Sequence, residues 1–347
     1  MKTKIIASTL ILGLAVSLLM FMFIIGCGVT TDNGVTPSIP RLYVSDITNK
    51  KVLIIDPSSL TILSSIELPG ATSPKWMAIK PDGSKVYIAD EGDYRVYILN
   101  TSTNTVSSVE VCSSPRGMAF NSDGSKLFVT QGNWDVSIVD AINDTFTDDP
   151  GVTTIYGFGN GNYGITFNPV LEKIYVASRT SGRIYIASAE AGSTPTFEVQ
   201  SNAYDVAVGP GGHSIYVTTH DGPPNQIVSF EAETLSLVAS FDVSSDGARN
   251  IALSPDGNSV YVTICDYSYI DYFNLNTASV EAINVRTGGP TGNYQLEQLT
   301  FSQDGSRVYA VNSDTDQVVI IDTATNTWTG VVTLPASADY FGIVYKP

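Results

Sequence analysis

Beyond Arg41 the apolar residues fall into short runs separated by polar turns, and one phrase built from two such runs returns six times. It reads WMAIKPDGSKVYIAD from Trp76, GMAFNSDGSKLFVTQ from Gly117, YGITFNPVLEKIYVAS from Tyr163, DVAVGPGGHSIYVTT from Asp205, NIALSPDGNSVYVTI from Asn250 and QLTFSQDGSRVYAVN from Gln298. Apolar run, turn and apolar run describe a β-hairpin, and Asp-Gly or Gly-Gly supplies the positive φ that such loops require. The copy with Asn168-Pro169-Val170-Leu171 lacks that pair, so its hairpin must turn by other means. An aromatic marks the second strand: Tyr43, Tyr87, Phe128, Tyr175, Tyr216, Tyr261 and Tyr309, spaced 41 to 48 residues apart. A third strand ending in Asp or Asn follows, as in Leu53-Ile54-Ile55-Asp56, and then a fourth. Four strands per 40 to 50 residues predict the blades of an all-β propeller.

The ends complete the count. Arg41-Leu42-Tyr43-Val44 is a second strand with no first strand before it, and Phe341 to Pro347 is a first strand with nothing after it. The two are expected to share a sheet, giving a seven-bladed β-propeller closed by pairing of the C-terminal strand with the N-terminal blade, with no exposed edge at the join. The aromatic series invites a reading as a ligand-stacking ladder; packing between blades accounts for it more simply.

The first 40 residues follow other rules. Met1 to Lys4 carries two positive charges, and Ile5 to Ile25 is almost unbroken apolar sequence, followed by Gly26-Cys27-Gly28. Residues 1–27 read as an export signal. Ile24-Ile25-Gly26-Cys27 resembles a lipobox, which makes Cys27 the expected lipidation site; an uncleaved signal anchor is the competing reading, because the apolar run approaches the length that spans a bilayer. Both put the remainder at the cell envelope, outside the cytoplasm. Residues 28–40, small and polar with Gly and Pro, read as a tether, and residues 41–347 as the propeller. Cys112 and Cys265 fall in non-adjacent blades and are expected as two separate thiols.

The strands YVSD, YIAD, YVAS, YVTT, YVTI and YAVN, the PDG turns and IIDTATNTW at Ile320 to Trp328 resemble the YVTN family of β-propeller repeat proteins, from Arg41 to Pro347. The resemblance implies the fold and leaves the function open, since that family includes surface-layer and cell-surface proteins, secreted binding proteins and relatives of propeller lactonases.

Charge narrows the choice. Eighteen Lys and Arg against 34 Asp and Glu give a net charge of −16, with no basic run, which argues against nucleic acid and against a polybasic membrane binder. Seven positions before each hairpin-turn Asp or its equivalent lie Lys75, Arg116, Asn162, Tyr204, Arg249 and Glu297, with Phe341 matching in the closing blade. Converging at a channel mouth, the three cations would form a pocket for a small anionic ligand; paired with acidic loop residues such as Asp90, they would be structural. Of two histidines, His220 lies on this face and could serve as a general base, with Glu297 as a second proton carrier, although no companion nucleophile is evident. Asn312-Ser313-Asp314-Thr315-Asp316 offers alternating oxygens for Ca²⁺ but lacks the later Gly and Glu of an EF-hand loop. No dinucleotide, phosphate-loop, CxxC or HExxH motif is present. The expectation is an envelope-tethered, non-enzymatic scaffold that binds a protein, glycan or small anionic ligand through its loop face. A lactonase-like hydrolase, with Arg116 or Arg249 holding a carboxylate, is the alternative.

Overall fold

The computed structural model describes residues 39–347 apart from loop positions 133–134, 148–152, 160, 191, 194, 200–201, 221–224, 246, 266–268 and 286–294. Cys27 and the expected signal and tether up to residue 38 lie outside the described residues. The chain forms seven four-stranded antiparallel sheets, and their innermost strands contact one another in a closed circle. Numbered from the first whole repeat, the inner strands of blades 1 to 6 are Pro74–Ile79, Pro115–Phe120, Asn162–Asn168, Ala203–Val208, Ala248–Leu253 and Leu296–Phe301. Blade 7 takes its inner strand, Tyr340–Lys346, from the far end of the chain.

That strand pairs with Arg41–Asp46 in the register Arg41 to Lys346, Leu42 to Tyr345, Tyr43 to Val344 and Val44 to Ile343. The closure expected from the sequence is therefore present. It is cemented by Gly342, whose N–H donates to Ser45 Oγ at 2.7 Å.

Middle strands such as Lys85–Asp90 and Arg95–Asn100 are buried along almost their whole length, because each sheet is covered on both faces by its neighbours. Outer strands such as Thr61–Glu67 are largely exposed, Ile62 and Leu63 included. Seven hydrophobic clusters result, one between each pair of adjacent blades. The aromatic series belongs to these clusters: Tyr87, Phe128 and Tyr175 are fully buried, and the Tyr175 hydroxyl donates to Ala232 O. Packing between blades is thus its role.

The hairpin turns follow the sequence. Gly83, Gly124, Gly257 and Gly305 sit near φ +70°, and Asp82, Asp123, Asp256 and Asp304 accept the N–H two residues on. In blade 3 the Asn168 side chain does this work, accepting from Val170 and Leu171, and Glu172 takes the positive φ.

Candidate functional site

Every inner strand carries a β-bulge near the same end, between Pro74 and Met77 in blade 1, Asn162 and Ile165 in blade 3, and at the corresponding places in the other five. A bulge sets two residues opposite one and re-aims their side chains. The register therefore defines two consecutive rings around the channel. Lys75, Arg116, Tyr163, Tyr204, Arg249, Glu297 and Phe341 occupy the outer ring; Trp76, Gly117, Gly164, Asp205, Asn250, Gln298 and Gly342 occupy the inner one.

Five of the six residues assigned to the mouth from sequence are in the outer ring. Asn162 is not. It pairs with Ser178 ahead of the bulge and is fully buried, and Tyr163 holds the ring position instead. An offset of seven from Pro169 gives Asn162, whereas the strand pairing of Asn168 with Lys173 makes Val170 the equivalent of the turn Asp and so gives Tyr163.

The outer-ring cations are paired. Glu91, in the loop after the second strand of blade 1, accepts from Lys75 Nζ at 2.7 Å and from Arg116 Nε at 2.9 Å. Burial pushes the Glu91 carboxyl up, but Lys75 and Arg116 prevail and hold it below the usual range. The expected local partner, Asp90, is occupied elsewhere, accepting the N–H groups of Thr72 and Ser73. Across the mouth, Arg249 NH1 lies 3.0 and 3.1 Å from the two oxygens of Glu297. Glu297 is only 4% exposed, and that burial raises its carboxyl while the Arg249 charge opposes the rise.

Aromatic rings fill the space between these pairs. Tyr163 stacks on Tyr204 at 5.1 Å, Arg116 lies 4.4 Å over the Tyr163 ring, and Arg179 stands about equally far from both tyrosines, at 5.9 and 6.0 Å. Trp76 reaches across from the inner ring, edge-on to Phe341 at 4.5 Å and to Tyr163 at 6.4 Å. The mouth is a layer of packed rings and paired charges.

His220 packs on Tyr204, and its Nε2 meets Cys265 Sγ at 3.2 Å and Arg249 Nε at 3.4 Å. Cys265 is the neighbouring nucleophile that the sequence did not reveal, since 45 residues separate the two. Both are buried, and the ring nitrogen that would take a thiol proton is shared with a guanidinium N–H. Cys112, by contrast, is exposed. In the Asn312 loop, Asp314 accepts from Gln295 N and Asp316 from Ser337 N; among the described residues no three His, Cys, Asp or Glu side chains gather as a metal site.

Below Trp76 the channel widens into a cavity of about 540 Å³. It runs from the inner ring to the turns at Pro169, Val170 and Gly209 to Gly212, on the face opposite Lys75. Asp205 is set into its wall: Oδ1 accepts Val206 N at 2.9 Å and Oδ2 accepts Ile251 N from blade 5 at 3.1 Å. Gly164 makes room for it, because a Cβ there would lie 2.1 Å from Asp205 Oδ1. Burial raises the Asp205 carboxyl to about 7. Gln298 of blade 6 plays a similar part farther round the ring, bridging Ile343 of blade 7 and Met77 of blade 1 through their backbone groups. The sequence signal for this second ring is a polar residue interrupting the apolar start of a repeat, as in DVAVG and NIALS.

No protein-family model matches the chain, and no curated protein matches it. Solved structures share its fold. A functionally unknown protein from Desulfotomaculum acetoxidans is 16% identical with a TM-score of 0.72, covering 88% of this chain and 98% of its own. The periplasmic gluconolactonase of Pseudomonas aeruginosa is 14% identical with a TM-score of 0.70, covering 89% and 99%. A putative 6-phosphogluconolactonase from Bacteroides fragilis is 13% identical with a TM-score of 0.70, covering 90% and 99%. At these identities the likeness is one of fold, the seven-bladed propeller.

Proposed function

We propose that the chain is exported, held at the cell envelope through its N-terminal segment, and acts as a YVTN-type propeller that binds a protein, glycan or small ligand through its loop face without chemical turnover. The observation that carries this reading is the state of the mouth. A substrate carboxylate would need Arg116 or Arg249, and both already hold carboxylates of the protein itself. Trp76, Tyr163, Tyr204 and Phe341 pack against one another where a reacting group would have to enter. The charged start, the apolar run and Cys27 support export and lipidation.

The hydrolase reading stands second. It is favoured by the Cys265 and His220 contact and by the gluconolactonases of similar shape. One experiment separates the two: the full chain is incubated with gluconolactone and acid release is followed by pH-stat. The binding reading expects the spontaneous rate. Catalysed release that disappears in Cys265→Ala or His220→Ala overturns it. Envelope attachment is read from palmitate labelling, which Cys27→Ser should abolish.

A further inference from the structure

The channel cavity lies toward the face opposite the mouth and meets it at Trp76, and its chemistry points to a ligand of another kind. Among the described residues that line it, Asp205 is the one ionisable side chain; the rest are apolar, glycine or neutral polar. Asp205 is enclosed by blades 3, 4 and 5 yet keeps accessible surface, and the space it adjoins is the cavity. Its described partners are the two backbone N–H groups, and no described Lys or Arg forms an ion pair with it. A carboxylate in this setting lacks a counter-charge, and an apolar wall makes that lack costly.

One further feature shapes the cavity. Trp76 lines it at the end toward the mouth. An indole offers a large flat apolar surface to the body of a ligand. The volume falls within the range of small-molecule sites.

We propose that the channel cavity binds a small organic ammonium ion, entering from the face opposite the mouth, its nitrogen paired with Asp205 and its apolar body under Trp76.

The test is calorimetric titration of the purified full chain with 2-amino-1-phenylethanol, beside 1-phenyl-1,2-ethanediol and mandelate as neutral and anionic counterparts. Saturable binding of the amine at about pH 8, absent or far weaker for the other two, is the expected result. Asp205→Asn should weaken it at least about thirtyfold, as loss of one partner of a buried charge pair does. The ionisable groups nearest Asp205 are Tyr204 on its own strand, Tyr163 on the strand before, Arg249 on the strand after and His220 beyond the second strand of its blade. All four belong to the mouth. Affinity should therefore follow the Asp205 carboxyl, falling about tenfold per pH unit below its midpoint near 7. No saturable binding at pH 8, equal binding of the diol or mandelate, or unchanged binding by Asp205→Asn overturns the proposal. Should that variant fail to fold, an affinity for the wild type that stays flat on acidification overturns it equally.

Discussion

Glu297 and Arg249 sit at equivalent places on the inner strands of neighbouring blades, and their side chains meet along the ring at 3.0 Å. The same bulge that points each toward the channel makes them adjacent. The contact is lateral, between blades, so it fastens blade 5 to blade 6 at the mouth. Two charges so placed satisfy each other at some cost in lost hydration, and removing one leaves the other stranded.

Glu297→Gln should accordingly destabilise the protein by about 2 kcal/mol in urea denaturation, and adding Arg249→Met to it should cost little more. Additive losses from the two substitutions would show that the residues act separately.

Glu91 yields a prediction on the acid side. Its folded-state carboxyl is depressed, so its stabilising effect is full above the unfolded value and is lost as pH falls through the folded one. Since Glu91 keeps 24% of its side-chain surface exposed, the effect is modest. Between about pH 5 and pH 3 the wild type should lose roughly 1 kcal/mol more than Glu91→Gln, measured by parallel urea titrations.

Asp205 runs in the opposite direction. Its carboxyl is raised, so the fold holds a proton that the unfolded chain has released, and stability declines as pH rises from about 4 to about 7. Asp205→Asn should remove that slope, worth about 2–4 kcal/mol over the interval, leaving a flatter stability profile than the wild type. A parallel pair of curves would contradict the burial argument.

The closing strand can be tested by a single side chain. Ile343 is fully buried between blades 6 and 7, and Ile343→Ala should cost about 2–5 kcal/mol. Removing Phe341 to Pro347 altogether should abolish cooperative thermal unfolding monitored by circular dichroism, because Val44 and its neighbours would face solvent as an open sheet edge.

The architecture was legible because its signals are local and repeated: a turn glycine, an aromatic two strands from the axis, and two half-blades at the ends. The outer ring was legible at five of six positions for the same reason, since a fixed offset from the turn measures position along a strand. It failed at Asn162, because blade 3 has no turn Asp to mark the place, and an offset from Pro169 falls one residue short of one from Val170, the position that strand pairing makes equivalent. Side-chain partners were less accessible. Whether Lys75 meets Asp90 or Glu91 depends on which carboxylate the loop amides of Thr72 and Ser73 have already claimed. Cys265 meets His220 only because blades 4 and 5 stand side by side in the ring. The cavity was beyond the sequence altogether, because it depends on where Trp76 leans.

The hydrogen bond from Gly342 to Ser45 joins residues 297 positions apart. Closing so long a loop costs about 5 kcal/mol of chain entropy, and nothing in the first six sheets returns it. A nascent chain can stack its blades one upon another as they emerge, but the stack remains an open arc until the strand made some 300 residues after Ser45 arrives to fill the gap. Folding of this protein therefore has a natural last step, and any quality-control factor that recognises the unfilled slot beside Arg41–Asp46 would be reading whether synthesis of the domain has finished.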